Sequence, residues 1–447
     1  MPLRTHVTYR RILNIAYPII LGSIAQNFIN VIDTAFLGRL GEIELGAAAI
    51  GGVFYLTVIM FGYGLGLGTQ IIVARRAGEE RNNRIGIVVE HSLATLIASS
   101  VIIIALIRFF SPSFFTLIIS SPAILEATCD YMHYRSWGIL FAFVNMGFNA
   151  FYIGIAKTRV ITWSTIFMAA VNIILDWLLI FGNLGFPGLG IKGAAIASVC
   201  AEFSATLFFI FYTAVFTNTK RYRLFRFSGL NSALWLRLVR LSFPVMLQNV
   251  ISLAVWFAFF VFVEKMGETE LAVSNIIRSI YIILMIPIWG FAAASNTLVS
   301  FLIGRGLQEE VVPVVYKTSW LCFIMVLILV AGGLLFPGEI IGVYTDDPRL
   351  VASSMPVMYV VNVSVISFAF AMVFLNAVSG TGKTQIALLI EVFVISIYLI
   401  AAYAFSNVFM FSVAVVWTVE FLYASLVFLF SFIYLRSNRW MKDITHI

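Results

Sequence analysis

The chain has 447 residues, of which 61% are hydrophobic and only 11% are charged. Soluble domains are about 45–50% apolar and about 25% charged, so this chain has too few charges to cover a water-facing surface. The same figures exclude a disordered, a collagen-like or a nucleic-acid-binding protein.

Twelve segments are long and apolar enough to cross a bilayer as helices. Such a helix needs about 20 largely apolar residues, and none of these segments has the two-residue alternation of barrel strands. The sequence therefore predicts an all-α polytopic membrane protein, whose first segment is a retained span and not a signal peptide. The predicted spans are 13–37, 46–71, 86–110, 129–153, 160–183, 191–216, 241–264, 272–303, 318–343, 354–379, 385–406 and 408–435.

The basic residues predict the orientation. Of the 28 Lys and Arg, 21 lie on one set of ends and loops, from Arg4 to Lys442, and five lie on the opposite set. Arg135 and Arg278 fall within spans. Because cytoplasmic loops carry the excess of Lys and Arg, we predict that both termini are cytoplasmic and that the chain is integral to the plasma (cell inner) membrane.

The second half of the chain repeats landmarks of the first half. One constant sequence separation joins Pro18 to Pro244, Gly41 to Gly267, Glu42 to Glu268, and Glu44 to Glu270. The pattern predicts two six-helix lobes that enter the bilayer in the same orientation, related by a pseudo-twofold axis along the membrane normal. The predicted domains are an N-lobe (1–216), a basic cytoplasmic connector (217–240) and a C-lobe (241–447). Parallel repeats of this kind place the substrate site near the midplane between the halves.

Polar residues inside the spans are candidates for function, because a charge at mid-bilayer costs about 2.5–3.5 kcal/mol. In the first half they fall on shared helix faces: Gln26, Asn30 and Asp33; Asn172 and Asp176; Ser198 and Glu202. The carboxyl groups could carry H+ when protonated or bind Na+ when ionised. Alternatively, these groups only form hydrogen bonds between helices. The second-half equivalent of Asp33 is Phe259, so we expect the first half to handle the ion.

The second half has a polar face of its own, and it suggests a buried ion pair. Arg278 and Glu391 are a plausible pair, since neither charge is stable alone in the membrane. They could equally line the substrate cavity separately. The candidate cavity residues are Gln26, Asn30, Asn149, Glu202, Gln248, Asn275, Arg278 and Glu391.

Several motifs do not carry chemistry. Residues 377–384 resemble a phosphate-binding loop but lack the leading Gly and follow no strand. The glycines at 62, 64, 66 and 68 predict a close-packing helix face. The three cysteines are scattered, and no catalytic or metal-binding constellation is visible. We therefore expect neither an enzyme nor a cofactor.

Longer motifs resemble the multidrug and toxic compound extrusion family of antiporters. The matching stretches are 18–41, 68–79, 172–182 and 190–198. The resemblance implies two six-helix lobes that open alternately. It also implies export of organic cations or other amphipathic compounds, driven by entry of H+ or Na+. Asp33, Asn172, Asp176 and Ser198 match positions of the family's N-lobe cation site.

Two details refine this resemblance. Asp at position 176 is similar to the DinF-type branch of the family. Some members carry an acidic residue on the seventh helix, where this chain has Ser252. The resemblance therefore leaves a C-lobe cation site of that kind in doubt.

The sequence thus predicts a secondary active multidrug transporter with H+ or Na+ as the coupling ion. Its expected partners are small-molecule drugs and membrane lipid, with no nucleic acid, and we expect a functional monomer. The alternatives are a flippase for lipid-linked precursors, which would need a strongly cationic cavity, and a channel, which would need no alternation of the halves.

Overall fold

A computed structural model describes residues 7–226, 229 and 231–441. Arg4, Lys442 and three positions of the predicted connector (227, 228 and 230) lie outside the described residues. Every regular element in the described ranges is helical, as predicted. The α-helices are α1 (Tyr9–Gly38), α2 (Glu42–Gly78), α3 (Ile85–Ile118), α4 (Pro122–Arg135), α5 (Gly138–Gly154), α6 (Arg159–Phe181), α7 (Ile191–Phe216), α8 (Thr219–Tyr222), α9 (Ser232–Glu264), α10 (Glu268–Gly304), α11 (Val311–Leu335), α12 (Pro337–Gly342), α13 (Pro348–Gly380), α14 (Thr384–Tyr403), α15 (Val413–Val416) and α16 (Thr418–Arg436).

The long helices confirm an integral membrane protein. Eleven helical segments of the described chain are long and apolar enough to span a membrane, and the number is twelve when the bent pair α4 and α5 counts as one span. This pair corresponds to the predicted span 129–153, but its two helices meet at 47°. The fourth span is therefore broken between Arg135 and Gly138.

The chain folds as two compact units. The N-terminal unit is Leu21–Met246, and the C-terminal unit combines Met1–Ile20 with Leu247–Ile447. Both boundaries fall inside helices, one within α1 and the other within α9. The lobe boundaries at 216 and 241 stay a prediction.

Close helix contacts through glycine organise the N-terminal unit. Helix α5 packs against α2, α3 and α7, and α6 packs along α7. A Cβ atom on Gly64 would lie 2.7 Å from the backbone nitrogen of Met246, and one on Gly68 would lie 3.2 Å from the Cβ of Ser242. No larger side chain fits at these two positions, so the predicted close-packing face is confirmed.

Helix α13 is the centre of the C-terminal unit. It packs against α10, α11, α14 and α16. Phe374 on α13 is fully buried, and its ring lies 5.4 Å from that of Tyr316 and 5.0 Å from that of Phe428. Contacts of this kind give the unit an apolar, strongly aromatic interior.

The predicted sequence repeat recurs in the helix bounds. Helices α2 and α10 both have 37 residues, and their ends have the same sequence separation as the paired landmarks. Each helix follows a glycine with a backbone conformation that other residues rarely adopt, Gly41 at φ 154° and Gly267 at φ 150°. This requirement explains why the glycine recurs in both halves.

Candidate functional site

Helices α1 and α6 bring two carboxyl groups together in the N-terminal unit. Asn172 and Asp176 lie one turn apart on α6 and are almost completely buried. Asp33, on α1, is half-buried. The carboxyl groups of Asp33 and Asp176 lie close enough to interact with each other. The structure thus joins three of the four residues that the resemblance assigned to a cation site.

Several buried polar atoms of this cluster have no hydrogen-bond partner among the described residues. Both carboxyl oxygens of Asp176, both amide atoms of Asn172 and one carboxyl oxygen of Asp33 are buried and form no hydrogen bond within the described residues. Buried polar atoms are paired in the great majority of cases. Two facing carboxyl groups and an amide oxygen can share a proton or surround a hard cation, so the residues fit H+ or Na+.

The fourth predicted residue stands apart from the cluster. Ser198 is half-buried on α7, and no hydrogen bond joins it to Asp33 or Asp176 in the described part of the chain. Gln26 and Asn30 on α1 are exposed. Asn149 on α5 has a buried side-chain oxygen that forms no hydrogen bond within the described ranges. The assignment of these residues to ion coupling or to a substrate cavity stays a prediction.

A buried ion pair, which the sequence did not predict, lies at the break of the fourth span. Arg135, the last residue of α4, donates two hydrogen bonds to Glu202 on α7, at 2.6 and 2.9 Å. Tyr55 on α2 donates to the same carboxylate at 3.0 Å. Its ring centroid lies 3.6 Å from the guanidinium carbon of Arg135. This bidentate, stacked geometry is the strongest form of arginine–carboxylate pair.

Neighbouring side chains connect the ion pair to its surroundings. Asn145 donates to the backbone oxygen of Glu202 at 2.9 Å and accepts from Thr206 at 2.9 Å. Tyr131 also interacts electrostatically with Arg135. Arg135 also interacts electrostatically with Asp33. The sequence placed Arg135 and Glu202 inside spans of the same lobe. Their opposite charges could have suggested that they form an ion pair.

The sequence left Arg278 and Glu391 either paired or separate, and they form no ion pair within the described residues. Glu391 on α14 is buried and accepts hydrogen bonds from Ser252 at 2.9 Å and from Tyr423 at 2.6 Å. The guanidinium of Arg278 lies over the ring of Phe260, 5.2 Å from its centroid. Hydroxyl donors and an aromatic face stabilise the two groups separately, so neither needs the other.

The remaining second-half candidates lie on two helices of the C-terminal unit. Gln248 is half-buried on α9. Asn275 on α10 is also half-buried and donates to the backbone oxygen of Leu271 at 3.0 Å. No hydrogen bond joins either residue to Glu391 among the described residues. Their place in a substrate cavity stays a prediction.

Comparison with known proteins shows a family match in both halves. Residues 18–178 and 244–404 match the MatE family, and the two matched regions begin at the repeated prolines, Pro18 and Pro244. The probable multidrug resistance protein NorM of Pasteurella multocida is 23% identical over 390 residues, covering 87% of this chain and 84% of that protein. The probable NorM of Agrobacterium fabrum is 24% identical over 377 residues, covering 82% of this chain and 78% of that protein.

A solved structure shares the fold. An outward-facing multidrug resistance MATE family transporter of the MOP superfamily has a TM-score of 0.90 at 20% identity, covering 98% of this chain and 96% of that one. None of these similarities distinguishes the DinF-type branch, which stays a prediction.

Proposed function

Because the chain belongs to the MatE family of transporters, we propose that it exports amphipathic and organic cationic compounds in exchange for H+ or Na+. The Asp33–Asn172–Asp176 cluster is the observation that carries this proposal. It holds buried carboxyl and amide oxygens that form no other hydrogen bond among the described residues. Such a group is stable only when a positive partner compensates its charge.

The energetics allow one ion for each transported molecule. Export against a hundredfold gradient costs about 2.7 kcal/mol, at about 1.4 kcal/mol for each tenfold step. One positive charge that enters down 100 mV supplies about 2.3 kcal/mol. A modest ion gradient covers the difference.

Helix α1 is the element through which ion binding would act. It carries Asp33 in its second half and Pro18 in its first half, and a proline inside a helix permits bending. The first part of α1 belongs to the C-terminal unit and the rest to the N-terminal unit. Neutralising Asp33 and Asp176 would change the electrostatics where α1 meets α6, and alternating access of the two units would follow.

The proposal also includes the oligomeric state, the membrane and the orientation of the protein. The chain would act as a monomer in the cell inner membrane, with both termini in the cytoplasm, as the distribution of Lys and Arg predicts. The flippase alternative needs basic groups free to bind a pyrophosphate. Of the two basic groups that the sequence places within spans, Glu202 neutralises Arg135. Only Arg278 is then left for a pyrophosphate, which makes this alternative the weaker one.

Transport by reconstituted variants tests the proposal. We expect wild-type protein in sealed vesicles to accumulate ethidium when an H+ or a Na+ gradient is imposed. Asp33→Asn and Asp176→Asn should each reduce accumulation to the level of protein-free vesicles. The control is Asp346→Asn, which removes an exposed carboxylate before α13 and should transport normally. Normal accumulation by Asp33→Asn would remove that residue from the mechanism.

A further inference from the structure

The C-terminal unit contains two buried carboxyl groups that the proposed mechanism does not use. Glu391 on α14 is 2% exposed, and Glu420 on α16 is 4% exposed. In the register of the sequence repeat, neither glutamate is equivalent to Asp33 or to Asp176. An ionised carboxylate at such a depth is costly unless it is hydrogen-bonded and its charge is compensated.

The two helices hold these carboxyl groups reciprocally. Tyr423 on α16 donates to Glu391 on α14 at 2.6 Å, and Tyr398 on α14 donates to Glu420 on α16 at 2.9 Å. The two tyrosine rings contact each other, with centroids 5.9 Å apart. The glutamates therefore belong to one connected cluster between α14 and α16.

Each glutamate has a second hydroxyl group from another helix within hydrogen-bonding distance. The two glutamates differ in which carboxyl oxygens accept these hydrogen bonds. For Glu420, Oε1 accepts from Tyr398 and Oε2 accepts from Tyr281 on α10, at 3.4 Å. For Glu391, Oε1 accepts from Tyr423 and lies 2.9 Å from the Ser252 hydroxyl, which has the backbone oxygen of Gln248 as a second acceptor at the same distance. The Oε2 atom of Glu391 is buried and forms no hydrogen bond with the described residues. Oε2 can therefore bind one proton without losing an existing hydrogen bond.

The surroundings supply no fixed positive charge. No Lys, Arg or His of the described chain forms an ion pair with either glutamate. Four hydroxyl groups face Glu391 and Glu420, from Ser252 on α9, Tyr281 on α10, Tyr398 on α14 and Tyr423 on α16. From α13, the ring of Phe368 packs on Tyr423. Arg278, also on α10, lies over Phe260 instead.

We propose that Glu391 is a second proton-exchanging site, in the C-terminal unit, with Oε2 as the atom that takes up the proton. Protonation forms an O–H bond at Oε2 and neutralises the group. Deprotonation returns the proton to water and leaves a carboxylate whose Oε1 atom is held by Tyr423 and Ser252. A hard metal cation needs several free oxygen ligands, whereas these hydroxyls already donate to the carboxyl group. The site rests on the proposed function, to which it adds a second coupling proton.

Infrared spectroscopy of the protein in lipid tests this site directly. The carbonyl-stretch band of protonated carboxyl groups is recorded while the pH is raised, for wild type and for Glu391→Gln. We expect one component of this band to titrate in wild type and to be absent from the variant. Saturation with tetraphenylphosphonium, a lipophilic cation, should shift the titration midpoint of that component in wild type. Identical titrating bands in the two proteins, or a component that tetraphenylphosphonium does not shift, would overturn the proposal.

Milder variants test the same site if Glu391→Gln misfolds. Tyr423→Phe and Ser252→Ala each remove one donor from Oε1, and each should move the midpoint of the Glu391 component by about half a pH unit or more. Unchanged midpoints in both variants would contradict the assignment. If NaCl removes this component while choline chloride does not, the site binds Na+ and the proton assignment is wrong.

Different measurements would contradict the proposed transport function and the proposed proton site at Glu391. Wild type that accumulates no ethidium under either ion gradient contradicts the proposed function. Wild type that transports but lacks the Glu391 component contradicts only this inference.

Discussion

The two compact units repeat their helices at one constant sequence separation, yet they bury their charges at different positions. In the register of that repeat, the positions equivalent to Asp33, Arg135, Asp176 and Glu202 are Phe259, Val361, Ala402 and Phe428. Conversely, the positions equivalent to Glu391 and Glu420 are Thr165 and Ala194. At each of these positions, one unit is uncharged where the other is charged. The helix arrangement therefore does not require these charges, which points to a functional reason for each set.

The two units have the same hydrogen-bond donor at one position of the repeat, but its acceptor differs. Tyr55 and Tyr281 are equivalent in the repeat, and both donate to a glutamate inside the span region, which is half-buried in the case of Glu202 and buried in the case of Glu420. Tyr55 donates to Glu202, which Arg135 neutralises, and Tyr281 donates to Glu420, which has only hydroxyl donors among the described residues. The N-terminal unit thus has a fixed ion pair where the C-terminal unit has a carboxyl group without one.

The ion pair coincides with a structural difference between the units. The fourth span is broken after Arg135, whereas its equivalent, α13, continues from Pro348 to Gly380 without a break. Both helices start at a proline that follows a side-chain cap, Ser121 or Asp347. The two spans therefore begin alike and diverge where one unit introduces the guanidinium.

Breaking the ion pair should have the largest effect on stability. Glu202→Ala leaves a buried guanidinium without its carboxylate, and we expect a loss of about 3 kcal/mol in the free energy of unfolding. The measurement is thermal unfolding in detergent. The double variant Arg135→Met with Glu202→Leu replaces both charges by apolar groups of similar volume and should recover most of the loss. A double variant as unstable as Glu202→Ala would contradict this account.

Crowding the ion pair should have a smaller effect. A Cβ atom on Gly138 would collide with Arg135 and Glu202 and lie 3.1 Å from the Tyr55 hydroxyl. We expect Gly138→Ala to cost about 1–2 kcal/mol, as overpacking does. The matched control is Ser364→Ala at the equivalent position of α13, which should cost less. Equal losses at the two positions would show that the ion pair does not distinguish the units.

Removing a neighbour of the ion pair should cost less again. Asn145→Ala removes one acceptor of the Thr206 hydroxyl and one donor to the backbone oxygen of Glu202, although Thr206 can still donate to that oxygen at 3.2 Å. We therefore expect a loss of about 1 kcal/mol in unfolding free energy. The equivalent residue of the other unit is Ala371, so the helix tolerates alanine there. Adding Thr206→Val should cause little further loss, because it removes the other half of one interaction. Strict additivity of the two changes would contradict a shared network.

A surface ion pair should have no measurable effect. Lys192 lies 3.0 Å from Asp130, and both side chains are exposed. Exposed pairs contribute little because solvent and salt screen them. Lys192→Ala should therefore unfold at the wild-type temperature. A clear shift would mean that charge pairs stabilise this unit in general and that the pair at Arg135 is not special.

The sequence predicted the features that depend on local pattern. Apolar length predicted the spans, and spacing predicted the repeat and the packing of Gly64 and Gly68. It also placed Asn172 and Asp176 on one helix face. Contacts between distant segments were harder to predict. Arg135 and Glu202 lie on helices that are far apart in the chain, and nothing in their local sequence indicates that the break after α4 directs one towards the other. For the same reason the sequence left open whether Arg278 pairs with Glu391, since only packing reveals that Phe260 and Tyr423 contact them instead.

The central claim is that an ion gradient, acting through the Asp33–Asp176 cluster, powers transport. The most direct test uses sealed inside-out vesicles that contain the wild-type protein and have accumulated ethidium under imposed H+ and Na+ gradients. Ionophores then collapse both gradients and the membrane potential. This account predicts that ethidium leaves until its free concentrations inside and outside are equal. Accumulation that persists or continues after the collapse would contradict the account.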